Sequence, residues 1–176
     1  MKKSLFLIFF TILMFSTTVF CATDTITPTE ENTLATVAAI DQNEILLASV
    51  ALHKNVPVNI KQFAQMMISQ HGANLTEIMM LAHQFNLATL SSPMAAQFTA
   101  DGQAALLSLG ALTGAEFNQT YVNAMATGHQ SALNLIDTQL LKTATDPVLH
   151  QFMEATRTAV AMHLAHAKAL QANLKK

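Results

Sequence analysis

The chain has 176 residues, nine basic against eleven acidic side chains, and a single cysteine. That length holds one ordinary domain with a proper core. A formal net charge of −2 with scattered cations leaves no electrostatic footprint for nucleic acid, and one cysteine excludes an internal disulfide.

Residues 1–22 read as a secretory signal. Lys2 and Lys3 form a basic start, Ser4 to Phe20 is apolar and uncharged, and Val19-Phe20-Cys21 precedes the polar Thr23 and Asp24. The alternative is a lipid anchor on Cys21, against which bulky Phe20 stands where a lipoprotein signal carries a small residue. Cleavage leaves seven basic residues against eleven acids, a net charge of −4. An exported domain without disulfides suits a bacterial periplasm. No later segment reads as a transmembrane span. The uncharged run from Ile78 to Ala100 is long enough but carries His83, Gln84, Asn86, Ser91, Ser92 and Pro93.

Residues 23–32 are polar, contain Pro28 and read as a flexible lead-in to a helical domain over 33–174. The first helix is predicted from Thr33 to Lys54, with Leu34, Val37, Ala38, Ile40, Leu47, Ala48 and Ala51 inward. Asn55 and Pro57 are the expected cap and first turn of the second helix, which runs to Asn86. A loop from Leu87 to Pro93 leads to a short helix over Met94–Leu109, which Gly110 to Gly114 ends. The fourth helix is predicted from Ala115 to Thr143. Asp146-Pro147 then caps a fifth, whose stripe is Leu149, Phe152, Thr156, Val160, His163, Ala167 and Leu170. Period-two alternation is absent, so no strands are expected.

Phe63-x3-Met67-x3-His71-x3-Leu75-x2-Ile78 recurs as Tyr121-x3-Met125-x3-His129-x3-Leu133-x2-Ile136. The spacing places all five positions on one helix face, and the repeat marks a duplicated helical hairpin. Two long hairpins joined by a crossover that contains a short helix describe an all-α four-helix bundle with ferritin-like connectivity.

His129 and His163 lie equally far from the turn at Asp146, about 25 Å along each helix, and His71 lies about 24 Å from Asn55. Glu44 and Asp41 reach the same height from the first helix. One carboxylate and three imidazoles can therefore share a mid-bundle layer. Glu44, His71, His129 and His163 form a candidate set for one transition-metal ion, with Zn²⁺ or copper favoured. Met67 and Met125, one turn away, would add affinity for Cu(I) or simply fill core. The other reading of the layer is a buried hydrogen-bond network that fixes helix register in a structural or partner-binding envelope protein. A di-iron centre is not expected, because no Glu is followed three residues later by His. His53, His83 and His150 belong near helix ends and read as exposed, and His166 as the edge of a stripe. No nucleophile elbow, phosphate loop or zinc-finger spacing is present, so catalysis is not indicated.

Glu44 to Ala51, Lys61-Gln-Phe-Ala-Gln-Met-Met-x3-His71, Phe117-x3-Tyr121-x3-Met125-x3-His129 and Met162-His163-Leu164 resemble a family of exported bacterial helical-bundle proteins, domain of unknown function four-one-four-two. Its members often carry the label "predicted outer membrane protein" and are grouped with ferritin-like folds. The resemblance spans Leu34 to Leu170 and implies a bundle and export, with no settled activity. It matches a carboxylate at Glu44 and histidines at His71, His129 and His163. Gln70 stands where the family commonly has Asp, as does Asn118, and Thr158 replaces a proline. Gln70 thus removes a carboxylate expected beside the histidines.

Overall fold

A computed structural model of the chain describes residues 25–174. The expected signal segment and Cys21 lie outside the described residues. Five helices follow: α1 (Pro28–Leu52), α2 (Val58–Gln84), α3 (Pro93–Ala111), α4 (Gly114–Leu135) and α5 (Pro147–Leu174). Between α4 and α5 the helix continues through a π-helical turn, Ile136–Leu140, and a last turn, Leu141–Thr143. No strand occurs among the described residues.

Helix α1 starts earlier than its apolar pattern predicts, so Pro28 to Asn32 are helix rather than lead-in. Thr27 and Glu30 close a capping box, and Pro28 supplies the fixed φ of a first turn. Glu30 is 2% exposed and also clamps the far turn. Its Oε1 accepts from Thr145 N at 2.8 Å, Thr145 Oγ1 at 2.9 Å and Asp146 N at 2.7 Å, and its Oε2 accepts from Thr27 N at 2.9 Å. The cap expected at Asn55 is not made. Pro57 occupies the N-cap of α2 without a side-chain bond, and Asn59 Oδ1 takes the N–H of Ile60 instead. At α5 the expectation holds, with Asp146 Oδ1 accepting from Val148 N and Leu149 N.

The hairpins α1–α2 and α4–α5 pack into a four-helix bundle, and α3 makes the crossover along the outer side of α1. This makes α1 the most enclosed helix. Every residue from Thr33 to Ala39 is buried, which a helix covered on several faces requires. By length and composition α1 could cross a membrane, but 61% of its most apolar window is buried inside the bundle, and it carries Glu30, Asp41 and Glu44 inward. Close approach of α3 depends on Gly102. A Cβ there would stand 2.0 Å from Asn43 Oδ1, while Asn43 Nδ2 donates to Phe98 O at 2.6 Å. Gly102→Ala is expected to break that bond and push α3 outward, costing about 1–3 kcal/mol by denaturant unfolding, whereas Gly110→Ala should not, since open space surrounds Gly110. Lys54 Nζ donates to Gly110 O at 2.7 Å, satisfying a carbonyl at the end of α3.

The apolar core is in two halves. One gathers Phe63, Met67, Phe117, Tyr121 and Met125, the other Ile78, Phe85, Ile136, Phe152 and Val160. The polar layer lies between them. In each copy of the repeat four positions are buried, but Leu75 and Leu133 are only half-buried. Each step of four overshoots a full turn by about 40°, so three such steps drift by about 120°. Beyond His129 the buried positions Ile136, Leu140 and Ala144 continue in fours. The wide π turn absorbs the drift there and keeps them on the core face.

Candidate metal centre

His71 on α2, His129 on α4 and His163 on α5 stand on the inward stripes of three helices, and the bundle brings their rings together. Ring centroids lie 5.6 Å apart for His71 and His129, 5.0 Å for His71 and His163, and 5.3 Å for His129 and His163. The residues are 4%, 1% and 1% exposed. One ring nitrogen from each lies within 4.8 Å of the others.

The outer nitrogens are all spoken for. His71 Nδ1 donates to Asp41 Oδ1 at 2.7 Å, His129 Nδ1 to Met125 O at 2.8 Å, and His163 Nε2 to Gln70 Oε1. Each partner is an acceptor, so each outer nitrogen carries the proton and each inner one carries a lone pair. The inner nitrogens, His71 Nε2, His129 Nε2 and His163 Nδ1, are buried and have no partner. Three acceptors thus share a buried space with no donor between them. Small ring rotations would bring such nitrogens to the bonding distance of one ion, about 2.0–2.1 Å for Zn²⁺. Burial, reinforced by His71, His129 and His166 nearby, holds the His163 imidazole down at about 3, so it stays neutral at ordinary pH.

Behind the rings a polar chain orients them. Asn74 Nδ2 donates to Asp41 Oδ2 at 2.8 Å, and Thr156 Oγ1 donates to Asn74 Oδ1 at 3.1 Å. Outer partners of this kind set the tautomer of metal-binding histidines. Gln70 keeps an acceptor oxygen on His163 but supplies no charge. Glu44 lies at the same level yet faces the back of His129, its Oε1 3.7 Å from Nδ1. It is therefore not among the converging atoms, and its buried Oε2 has no partner. The Tyr121 hydroxyl is also buried without a partner, and burial, with the Glu44 charge in addition, pushes its ionisation up. Of the two glycines beside the histidines, Gly128 matters to this geometry. A Cβ there would stand 3.3 Å from Glu44 Oε1, whereas Gly72 faces open space.

His53, His83, His150 and His166 are exposed. His166 stacks edge-on against Phe63 with centroids 5.0 Å apart and stays out of the cluster. Met67 and Met125 are core residues, and Met125 contributes its carbonyl to His129. Asn74 escaped the sequence reading, and Thr156 was read only as part of the inward stripe of the fifth helix, without a polar role. Their positions, three residues after His71 and seven before His163, put them on the same faces as the histidines and were the available signal. Glu30 was also missed, although Thr27-x-x-Glu30 is a capping-box pattern.

Two grooves approach the layer. One of about 370 Å³ between α2 and α5 is lined by Asp41, Gln70, His71, Asn74, Glu77 and His163. The other, about 180 Å³ between α1, α3 and α4, is lined by Asn43, Glu44, Asp101, Gly102, Met125 and Gly128. Asp41 and Glu44 bring two buried carboxyl groups to the layer beside the three imidazoles. No buried lysine or arginine offsets them among the described residues.

A crystal structure of a DUF305 fragment from Deinococcus radiodurans superposes with a TM-score of 0.75, covering 85% of this chain and 99% of that one at 11% identity. That likeness concerns the fold. No relative is found among functionally curated proteins. The family model for a domain of unknown function, DUF4142, matches residues 16–170. With its helical bundle and the matched segments around His71, His129 and His163, the chain belongs to the DUF4142 family.

Proposed function

We propose that this protein binds one divalent transition-metal ion between His71, His129 and His163, and does so in the periplasm after export. The carrying observation is that each of the three histidines offers a ring nitrogen within 4.8 Å of the other two, and each keeps one buried ring nitrogen without a partner. A polar network serving helix register alone would pair these nitrogens, since an unsatisfied buried acceptor costs about 1–3 kcal/mol. Here only the outer nitrogens are paired. The two carboxylates of Asp41 and Glu44 match the charge of a divalent cation, which favours Zn²⁺ or Cu²⁺ with imidazole ligands. Export is supported by the basic start and apolar run of residues 1–22.

The outer bonds already hold each imidazole in the metal-ready tautomer. Calorimetric titration with Zn²⁺ at pH 7.5 should therefore give one ion per chain. Absence of stoichiometric binding, or retention that survives replacement of His71 and His163 by Gln, would refute the assignment.

A further inference from the structure

Resting on the three-histidine reading, we propose that the ion reaches the cluster through the groove between α1, α3 and α4. Asp101 stands at its mouth, and Glu44 serves as the transfer ligand at its inner end. Both residues line this groove, together with Asn43, Gly102, Met125 and Gly128. Asp101 is exposed, whereas Glu44 is 7% exposed and its Oε2 is buried without a partner. A buried carboxylate oxygen without a hydrogen-bond partner is costly unless something positive visits it. The absence of a side chain at Gly128 leaves room for the carboxylate, because a Cβ there would press on Oε1 at 3.3 Å.

The larger groove between α2 and α5 is the rival route. Each groove has an exposed carboxylate, Glu77 there and Asp101 here, where Asp101 Oδ1 accepts from Gln97 Nε2 at 2.8 Å. The routes therefore differ at their inner ends, where the oxygens beside His71 and His163 are already committed. Asp41 accepts from His71 Nδ1 with one oxygen and from Asn74 Nδ2 with the other, and Gln70 Oε1 accepts from His163 Nε2. A cation captured there would compete with the bonds that set the tautomers of His71 and His163. Glu44 offers an oxygen with no such commitment. Its Oε1 lies 3.7 Å from His129 Nδ1, so an ion held by Glu44 is one imidazole away from the cluster. Rotation of the His129 ring would let the ion pass inward. That rotation gives up only the bond to Met125 O, a carbonyl within the regular helix α4.

Mixing metal-free protein with Co²⁺ and following the visible absorption of the bound ion tests the route. Asp101→Asn is expected to slow uptake about threefold and Glu44→Gln about tenfold, within the range by which charged clefts raise on-rates. Release should slow alongside uptake for Asp101→Asn, with one ion still bound per chain. Glu77→Gln, at the other groove, should load at the wild-type rate. Slowing by Glu77→Gln without slowing by Asp101→Asn would place the route between α2 and α5 and overturn the proposal. Loss of stoichiometric binding in folded Glu44→Gln would also overturn it, making Glu44 a resident ligand. Failure of the wild-type protein to take up Co²⁺, Zn²⁺ or Cu²⁺ would instead strike at the three-histidine reading itself.

Discussion

His71→Leu should destabilise the metal-free protein by about 2–4 kcal/mol, whereas His129→Leu should leave it unchanged or stabilise it by about 1 kcal/mol. The two residues share a cluster, but their outer partners differ. His71 supplies one of the two donors to the buried carboxylate of Asp41, which would be left with Asn74 alone. His129 donates to Met125 O, an oxygen that the ordinary i to i−4 pattern of α4 already serves. Removing His129 therefore breaks no hydrogen bond that a buried group depends on, takes from Glu44 only a 3.7 Å contact beyond hydrogen-bond distance, and eliminates an unpartnered acceptor at Nε2. Both variants lose one of the three proposed ligands, so each should lower Zn²⁺ affinity by at least about 100-fold if loss of a ligand exceeds the loss of an outer partner. Denaturant unfolding with a chelator present, paired with elemental analysis of the purified variants, measures both effects. Equal destabilisation by the two substitutions would contradict the assigned protonation pattern. A gain of stability on deleting a ligand is the expected mark of a site kept for binding rather than for folding.

Glu30→Gln is expected to cost about 3 kcal/mol at pH 7, and that cost should shrink in acid. Burial by itself pushes the Glu30 carboxyl up. Hydrogen bonds from Thr27, Asp146 and Thr145 outweigh it and bring the group down to about 2 from an ordinary 4.5. A group lowered by folding contributes its full stabilisation above the unfolded value, here 4.5, and loses it as pH falls towards 2. The difference between wild type and Glu30→Gln should thus be constant from pH 7 to 5 and decline below pH 4.5. A difference that stays constant down to pH 3 would show that the carboxylate charge is not what clamps α1 to the turn before α5. Neutral Gln cannot present two acceptor oxygens, and its amide hydrogens would face N–H groups of the two turns.

Much of this was legible in the chain. The recurring aromatic, methionine and histidine spacing identified α2 and α4 as equivalent helices, and Asp146-Pro147 marked the start of α5. Equal distances from the turn placed His129 and His163 at one height, and their centroids stand 5.3 Å apart. The start of α1 was not legible from apolar periodicity, because its first turn is held by Glu30 reaching residues 145 and 146, far along the chain. The π turn was equally hidden, since Ile136 to Leu140 contains no proline or glycine to announce it.

The division between Asp41 and Glu44 shows where one-dimensional reading ends. Both lie one turn apart on α1 and both reach the layer, yet Asp41 bonds His71 while Glu44 faces the back of His129. Helical periodicity brought three imidazoles and one carboxylate of α1 within reach of the same cross-section of a bundle, because rise and angle per residue are fixed by backbone geometry. Which nitrogen points inward, which oxygen stays free and which groove leads to it depend on the packing of helices distant in sequence. Those choices rest on ring rotations, on the gaps left at Gly102 and Gly128, and on the line taken by α3 along α1. They were decided only when the tertiary structure brought the helices together.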